Sequence, residues 1–162
     1  MDLIIIFCAK YLFLVPIFVY LIFLVKITIY TRQSILKLSL IAFPLSILTA
    51  KTISRFFFNA RPFALESVKP LFAHVPDNGF PSDHTLLTAT IAVVVFVYNK
   101  NLGIILFVIS LIVGFSRVIS KIHHTIDILG SCAIATLAVV VALIAVNKIK
   151  AIKNFSLPFI NR

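Results

Sequence analysis

Five long apolar runs alternate with short polar connections along the chain. The first extends from about Leu3 to Val25 and is interrupted by Lys10 and Pro16. The second covers about Ile35 to Ile53, with Lys37 and Lys51 near its ends. The others run from about His84 to Tyr98, Leu102 to Ile119, and Ile126 to Val146. Crossing bilayer hydrocarbon takes roughly 20 helical residues. The third run is short and must borrow from its flanks. The pattern predicts an all-α polytopic bundle of about five membrane helices, forming a single membrane-embedded domain over residues 1–162. Between Asn59 and Asp83 the pattern stops, and Pro62, Pro70, Pro76 and Pro81 punctuate a mixed stretch. Such proline spacing predicts a loop with at most a short interfacial helix. Connections of this length are often functional.

Composition removes the soluble alternatives. Hydrophobic residues make up 61% of the chain and charged residues only 12%, too few for a normal water-facing surface. The apolar excess needs lipid as its solvent. A net charge of +10 would suggest nucleic acid in a soluble protein. Here the charges lie between apolar runs, so membrane orientation and anionic head groups account for them, and no nucleic-acid partner is expected. Cys8 and Cys132 fall within apolar runs and read as small hydrophobes, with no disulfide or metal pair. The first run lacks a basic leader and a small-residue cleavage site, so it does not read as a signal peptide.

Charge placement predicts orientation. Lys26, Arg32 and Lys37, then Lys100, then Lys148, Lys150, Lys153 and Arg162 occupy acid-free connections and the tail. The acids Asp2, Glu66, Asp77, Asp83 and Asp127 all fall on the opposite side. Acid-free basic connections mark the cytoplasmic side. The N-terminus and the long loop are therefore expected to face outward in a bacterial plasma membrane. Arg55, Arg61, Lys69, Arg117 and Lys121 sit on that outer side against the rule. Anion binding is the natural reason for them.

Three polar clusters map to the same end of the bundle: Arg61-Pro62, Pro81-Ser82-Asp83-His84, and Ser116-Arg117 with His123 and Asp127. A guanidinium grips phosphate oxygens in a fork, so Arg61 and Arg117 could clamp one phosphoryl group. Ser82 and Asp83 sit where a helix begins, and free N–H groups there attract anions. Asp83 would suit the cap. His84 would stand beside any phosphate held there. His123 and Asp127 are four apart and would share a helix face. A carboxylate on one imidazole nitrogen fixes the tautomer and frees the other nitrogen to attack. One histidine would then be nucleophile and the other general acid and base. Each residue alone has a bland reading: an interfacial anchor for a histidine, snorkelling for Arg117, an N-cap for Asp127. A metal on His123 and His124 is disfavoured, because adjacent residues do not share a helix face and no third ligand is evident. The bland readings do not explain why all these groups collect at one end.

The spacing Ser116-Arg117, His123, Asp127 resembles the third signature of the type-2 phosphatidic acid phosphatase superfamily. Pro81-Ser82-Asp83-His84 resembles its second signature, with Asp83 where glycine is usual, and Arg61-Pro62 resembles the end of its first. The likeness runs from about residue 48 to about residue 140. It implies that His123 takes the phosphoryl group, Asp127 orients it, and His84 protonates the leaving group and later activates water. It implies that Arg61, Arg117 and Ser82 hold phosphate, with Asp83 beside them, and that no metal or other cofactor takes part. The first signature has a lysine seven residues before its arginine, where this chain has Ser54. Lys51 and Arg55 flank that position and either could supply the charge. The run Phe80 to His84, with His74 upstream, is most similar to the bacitracin-resistance branch, which resembles undecaprenyl pyrophosphate phosphatases. The implied partners are a lipid (pyro)phosphate and membrane lipid, with no obligate protein partner. Other lipid phosphates (phosphatidic acid, phosphatidylglycerol phosphate, lipid A phosphate) are the alternative substrates. A small anion transporter is the alternative from another class. A transport path would carry ionisable groups at several depths, whereas these cluster at one end.

Overall fold

The structure, a computed structural model, describes residues 1–65 and 68–156. Glu66 and Arg162 of the charge count lie outside the described residues. The described chain is helical: α1 (Asp2–Lys10), α2 (Leu14–Lys26), α3 (Ile29–Phe56), α4 (Pro62–Leu65), α5 (Asp83–Tyr98), α6 (Lys100–Ile119) and α7 (Thr125–Ser156). An isolated bridge between Ala60 and Asn78 is the one strand-like pairing among the described residues. Helices α3, α6 and α7 are each long and apolar enough to cross a membrane, and α1 and α2 pass the same test together as one run bent by 47°. The protein is a multi-pass membrane protein.

Two expected runs look different in three dimensions. The first is broken. Pro16 lies in the first turn of α2, and its ring would clash with the carbonyl four residues back, so α1 cannot continue through it. The chain instead turns tightly at Tyr11–Phe13, where Leu14 and Val15 donate to the carbonyls three residues earlier. The third run, α5, has 16 residues. It rises about 24 Å, less than the ~30 Å of the hydrocarbon core. It survives because it is sheathed by protein: α6, α7, α3 and α2 all pack on it, and Leu86, Ala89, Ile91, Ala92, Val94 and Val95 are buried.

Water-driven burial cannot hold helices together in lipid, so close packing and satisfied polar groups must. Thr88 and Ser110 share a 2.7 Å hydrogen bond between α5 and α6, and Tyr20 and Ser39 share another of 2.7 Å between α2 and α3. Gly114 of α6 lets three helices meet: a Cβ there would lie 2.5 Å from Ile128 Cγ2 of α7 and 3.0 Å from Thr85 Oγ1 of α5. The outward faces carry exposed Leu40, Leu48, Leu137 and Ile144, as lipid contact requires. The C-terminal end of α3, the loop, the N-terminal ends of α5 and α7 and the C-terminal end of α6 converge at one end of the bundle.

Candidate active site

His123 sits in the turn between α6 and α7, which reverses through Lys121 at φ 62°. It is buried, and so is Asp127. The His123 Nδ1–H donates to Asp127 Oδ2 at 3.2 Å. The expected reason for this pairing needs correction. α7 begins at Thr125, so His123 lies outside the helix and shares no face with Asp127. The pairing comes from capping: Asp127, in the first turn, reaches back to accept the His124 backbone N–H at 2.8 Å. The same carboxylate also accepts the Asn59 side-chain N–H at 2.7 Å on Oδ1. Three donors thus orient the carboxylate, and it fixes the imidazole.

With Nδ1 donating, Nε2 carries the lone pair. It accepts from Arg61 Nη1 at 3.2 Å. Arg61 is itself pinned by the Ile122 carbonyl at 2.8 Å and, through Nε, by Asp77 at 2.6 Å. Burial lowers the His123 pKa, the Asp127 hydrogen bond raises it, and the Arg117 and Arg61 charges lower it; the net shift is downward. The ring is therefore neutral near neutral pH, with Nε2 free to act as nucleophile once Arg61 yields. Burial tends to raise the Asp77 carboxyl, but the Arg61 hydrogen bond and charge outweigh it, so Asp77 stays ionised.

Arg117 is buried at the end of α6, 4% exposed. One Nη donates to the Ala9 carbonyl at 2.9 Å, and its Nε has no partner. His84, at the start of α5, is half-buried, and its ring lies edge-to-face on Phe13 with centroids 4.5 Å apart. Among the described residues no side-chain or backbone polar group bonds its ring nitrogens.

A cavity of about 420 Å³ joins these groups. His123, Arg61, Arg117, His84 and Asp83 line it, with Lys51, Arg55 and His74 around them. Eight of the expected or discussed residues thus share one space. Ser82 differs. It is fully buried as the N-cap of α5, its hydroxyl accepts from Thr85 at 3.1 Å, and it is not among the lining residues. The cap is Ser82 and not Asp83, which occupies the first turn. Ser54 accepts from Asn78 at 3.0 Å, leaving Lys51 and Arg55 as the α3 cations on the cavity. His74 bonds the Val75 carbonyl, and burial pulls its pKa down. His124 turns away to the Ala60 carbonyl at 3.1 Å. No three His, Cys, Asp or Glu side chains among the described residues converge as a metal set.

Sequence reasoning missed Asn59, Asp77, Asn78 and Phe13. Asn78 is a hub: its amide donates to Ser54 and Phe57 and accepts from the Asn59 and Phe80 N–H groups. The Asn-Gly pair at 78–79 in a proline-rich loop was the available signal. A Cβ at Gly79 would sit 3.1 Å from Asp127 Oδ2 and 3.1 Å from the Asn59 carbonyl oxygen, so a larger residue there would push the loop a few tenths of an ångström off the carboxylate.

Comparison with known proteins places the chain among relatives. The family model for the PAP2 superfamily matches residues 35–151. A Bacillus licheniformis protein named bacitracin transport permease protein BcrC is 34% identical over 101 residues, 62% of this chain and 50% of its own length. The Bacillus subtilis undecaprenyl-diphosphatase BcrC is 36% identical over 83 residues, 51% of this chain and 43% of its own. The matched stretch spans about half the length of these relatives. The crystal structure of Aquifex aeolicus LpxE superposes with a TM-score of 0.72 at 26% identity, covering 88% of this chain and 87% of that one.

Proposed function

Because the chain belongs to the PAP2 superfamily, we propose that it is a metal-independent lipid phosphatase, hydrolysing undecaprenyl pyrophosphate to the monophosphate through a phosphohistidine on His123. The observation that carries this is the His123 ring, fixed by Asp127 on one nitrogen and presenting the other to Arg61 in a cationic cavity. Nε2 attacks the terminal phosphorus, and the bond to the bridging oxygen breaks. His84, whose pKa burial and the Arg117 charge hold down to about 4, becomes an imidazolium once the substrate's negative phosphates lie beside it; it then donates its proton to that oxygen, and the lipid monophosphate leaves. His84 then takes a proton from water, whose oxygen attacks phosphorus; the P–N bond breaks and inorganic phosphate departs. Arg61 already touches Nε2, so an incoming phosphoryl oxygen replaces the imidazole as its acceptor. Arg117, with its unpartnered Nε, takes another oxygen. Such fixed charges lower the barrier where negative charge develops. Lys51 and Arg55, on the α3 wall of the same cavity, suit the second phosphate of a pyrophosphate. The distribution of Lys and Arg supports an outward-facing site in a bacterial plasma membrane.

The test is a lipid panel on the purified chain in detergent, with His123→Ala as control. Undecaprenyl pyrophosphate should release phosphate fastest, ahead of phosphatidic acid and phosphatidylglycerol phosphate, and EDTA should leave the rate unchanged. Faster release from a lipid monophosphate would reject the substrate. Loss of activity in EDTA, restored by magnesium, would reject the mechanism. Transport, as in the permease name of one relative, would show no phosphate release at all.

A further inference from the structure

The two histidines of the cavity are held in different ways, and the second is held by a part of the chain outside the family match. His123 has a carboxylate. His84 has no polar partner for its ring among the described residues, and what touches the ring is Phe13, edge-to-face at 4.5 Å with planes 79° apart. Phe13 belongs to the corner between α1 and α2, within residues 1–34, which the matched span of 35–151 does not include. That corner is anchored twice beside the site. The buried Arg117 donates to the Ala9 carbonyl at 2.9 Å, one of the carbonyls a helix C-terminus leaves without an intrahelical partner. On the other side, the Lys10 ammonium lies 4.6 Å over the Phe72 ring of the loop. The stretch of chain that leads into Phe13 is thus tied to α6 and to the loop.

We infer that Phe13 is a positioning residue for His84: it holds the imidazole of the general acid and base at the angle both proton transfers need. The inference rests on the reading of His84 given under the proposed function. Packing here takes the place of the second hydrogen bond that orients most catalytic histidines. Its loss should act on the steps His84 serves, protonation of the leaving oxygen and activation of water. Attack by His123 on a substrate whose leaving group needs no proton should be spared.

The experiment uses the full chain in detergent with two substrates, a prenyl pyrophosphate and an aryl phosphate with a good leaving group. Phe13→Leu keeps bulk and removes the ring; Phe13→Tyr keeps the ring. Phe13→Leu should lower turnover of the prenyl pyrophosphate roughly 3- to 10-fold, the worth of one edge-to-face ring pair, at unchanged KM. Phe13→Tyr should restore it. With the aryl phosphate, Phe13→Leu should keep its first-turnover burst of phenolate and accumulate acid-labile phosphate on the protein, as a milder copy of His84→Ala. A raised KM, or equal loss on both substrates without accumulation, would make Phe13 merely structural and overturn the inference. Wild-type behaviour of Phe13→Leu beside a strong His84→Ala phenotype would overturn the inference alone. A His84→Ala enzyme of full activity on both substrates would sink it together with the reading of His84.

Discussion

The two sides of the cavity are built on opposite principles. On the His123 side the polar groups hold one another: Asp127 receives three donors, Arg61 is pinned by a carbonyl and a carboxylate, and the imidazole is buried between them. On the His84 side the ring is half-exposed and rests on an aromatic edge. A nucleophile must present one lone pair along one line, and a buried network fixes that line at the cost of adaptability. An acid that becomes a base must exchange protons with a leaving group and then with water. A ring held by packing leaves both nitrogens available. With the roles proposed for the two histidines, the contrast teaches that rigidity in this site follows what each ring has to do.

The contrast can be broken at its rigid side first. His123→Ala should abolish phosphate release and leave no acid-labile phosphate on the protein; activity that persists there but disappears in His124→Ala would move the nucleophile to the next residue. Asp127→Asn should keep the fold and lose about 10³–10⁴ in kcat, because an amide permits the wrong tautomer. A loss below tenfold would mean that the Arg61 contact suffices to orient the ring. The pH profile is the mildest test. Burial and the two guanidinium charges hold the His123 pKa below its ordinary value, against the pull of Asp127. In the proposed mechanism the neutral ring is the nucleophile, so activity limited by His123 should fall only when pH drops below about 6.5, the usual imidazole value. The depressed pKa also means that the contribution of His123 to stability is present above the unfolded value and is lost as pH falls through the folded one. An acid limb centred above 7 in kcat/KM would contradict the placement of that ring.

What the chain disclosed in advance follows the range of the interactions. Apolar runs are local, so the helices were readable, and the break near Pro16 was marked by Pro16 itself. The spacing of His123 and Asp127 is local too, and it pointed to a true contact for a wrong reason, since an N-terminal cap and a shared helix face both bring residues four apart together. Lys51 and Arg55 flank Ser54 in sequence and duly share the cavity wall. Contacts across long separations were invisible. Asn59 meets Asp127 across 68 residues and Arg117 meets Ala9 across 108; neither has a sequence period to betray it. Ser82 shows the converse. Its place at a helix start, in a motif that resembles a phosphate-binding signature, suggested phosphate, but it lies buried in the N-cap position, with its hydroxyl on Thr85 and its carbonyl on Ser131.

Gly114 gives this chemistry a single point of failure that touches no substrate. It lies three positions before Arg117; Thr85, against it, follows His84, and Ile128, against it, follows Asp127. One absent methyl group therefore lets the three helices that carry the proposed acid, clamp and carboxylate close on one another, like the common vertex of a tripod. A side chain there would wedge the legs apart, and the fault would register as lost catalysis in a protein whose every reacting group was still present.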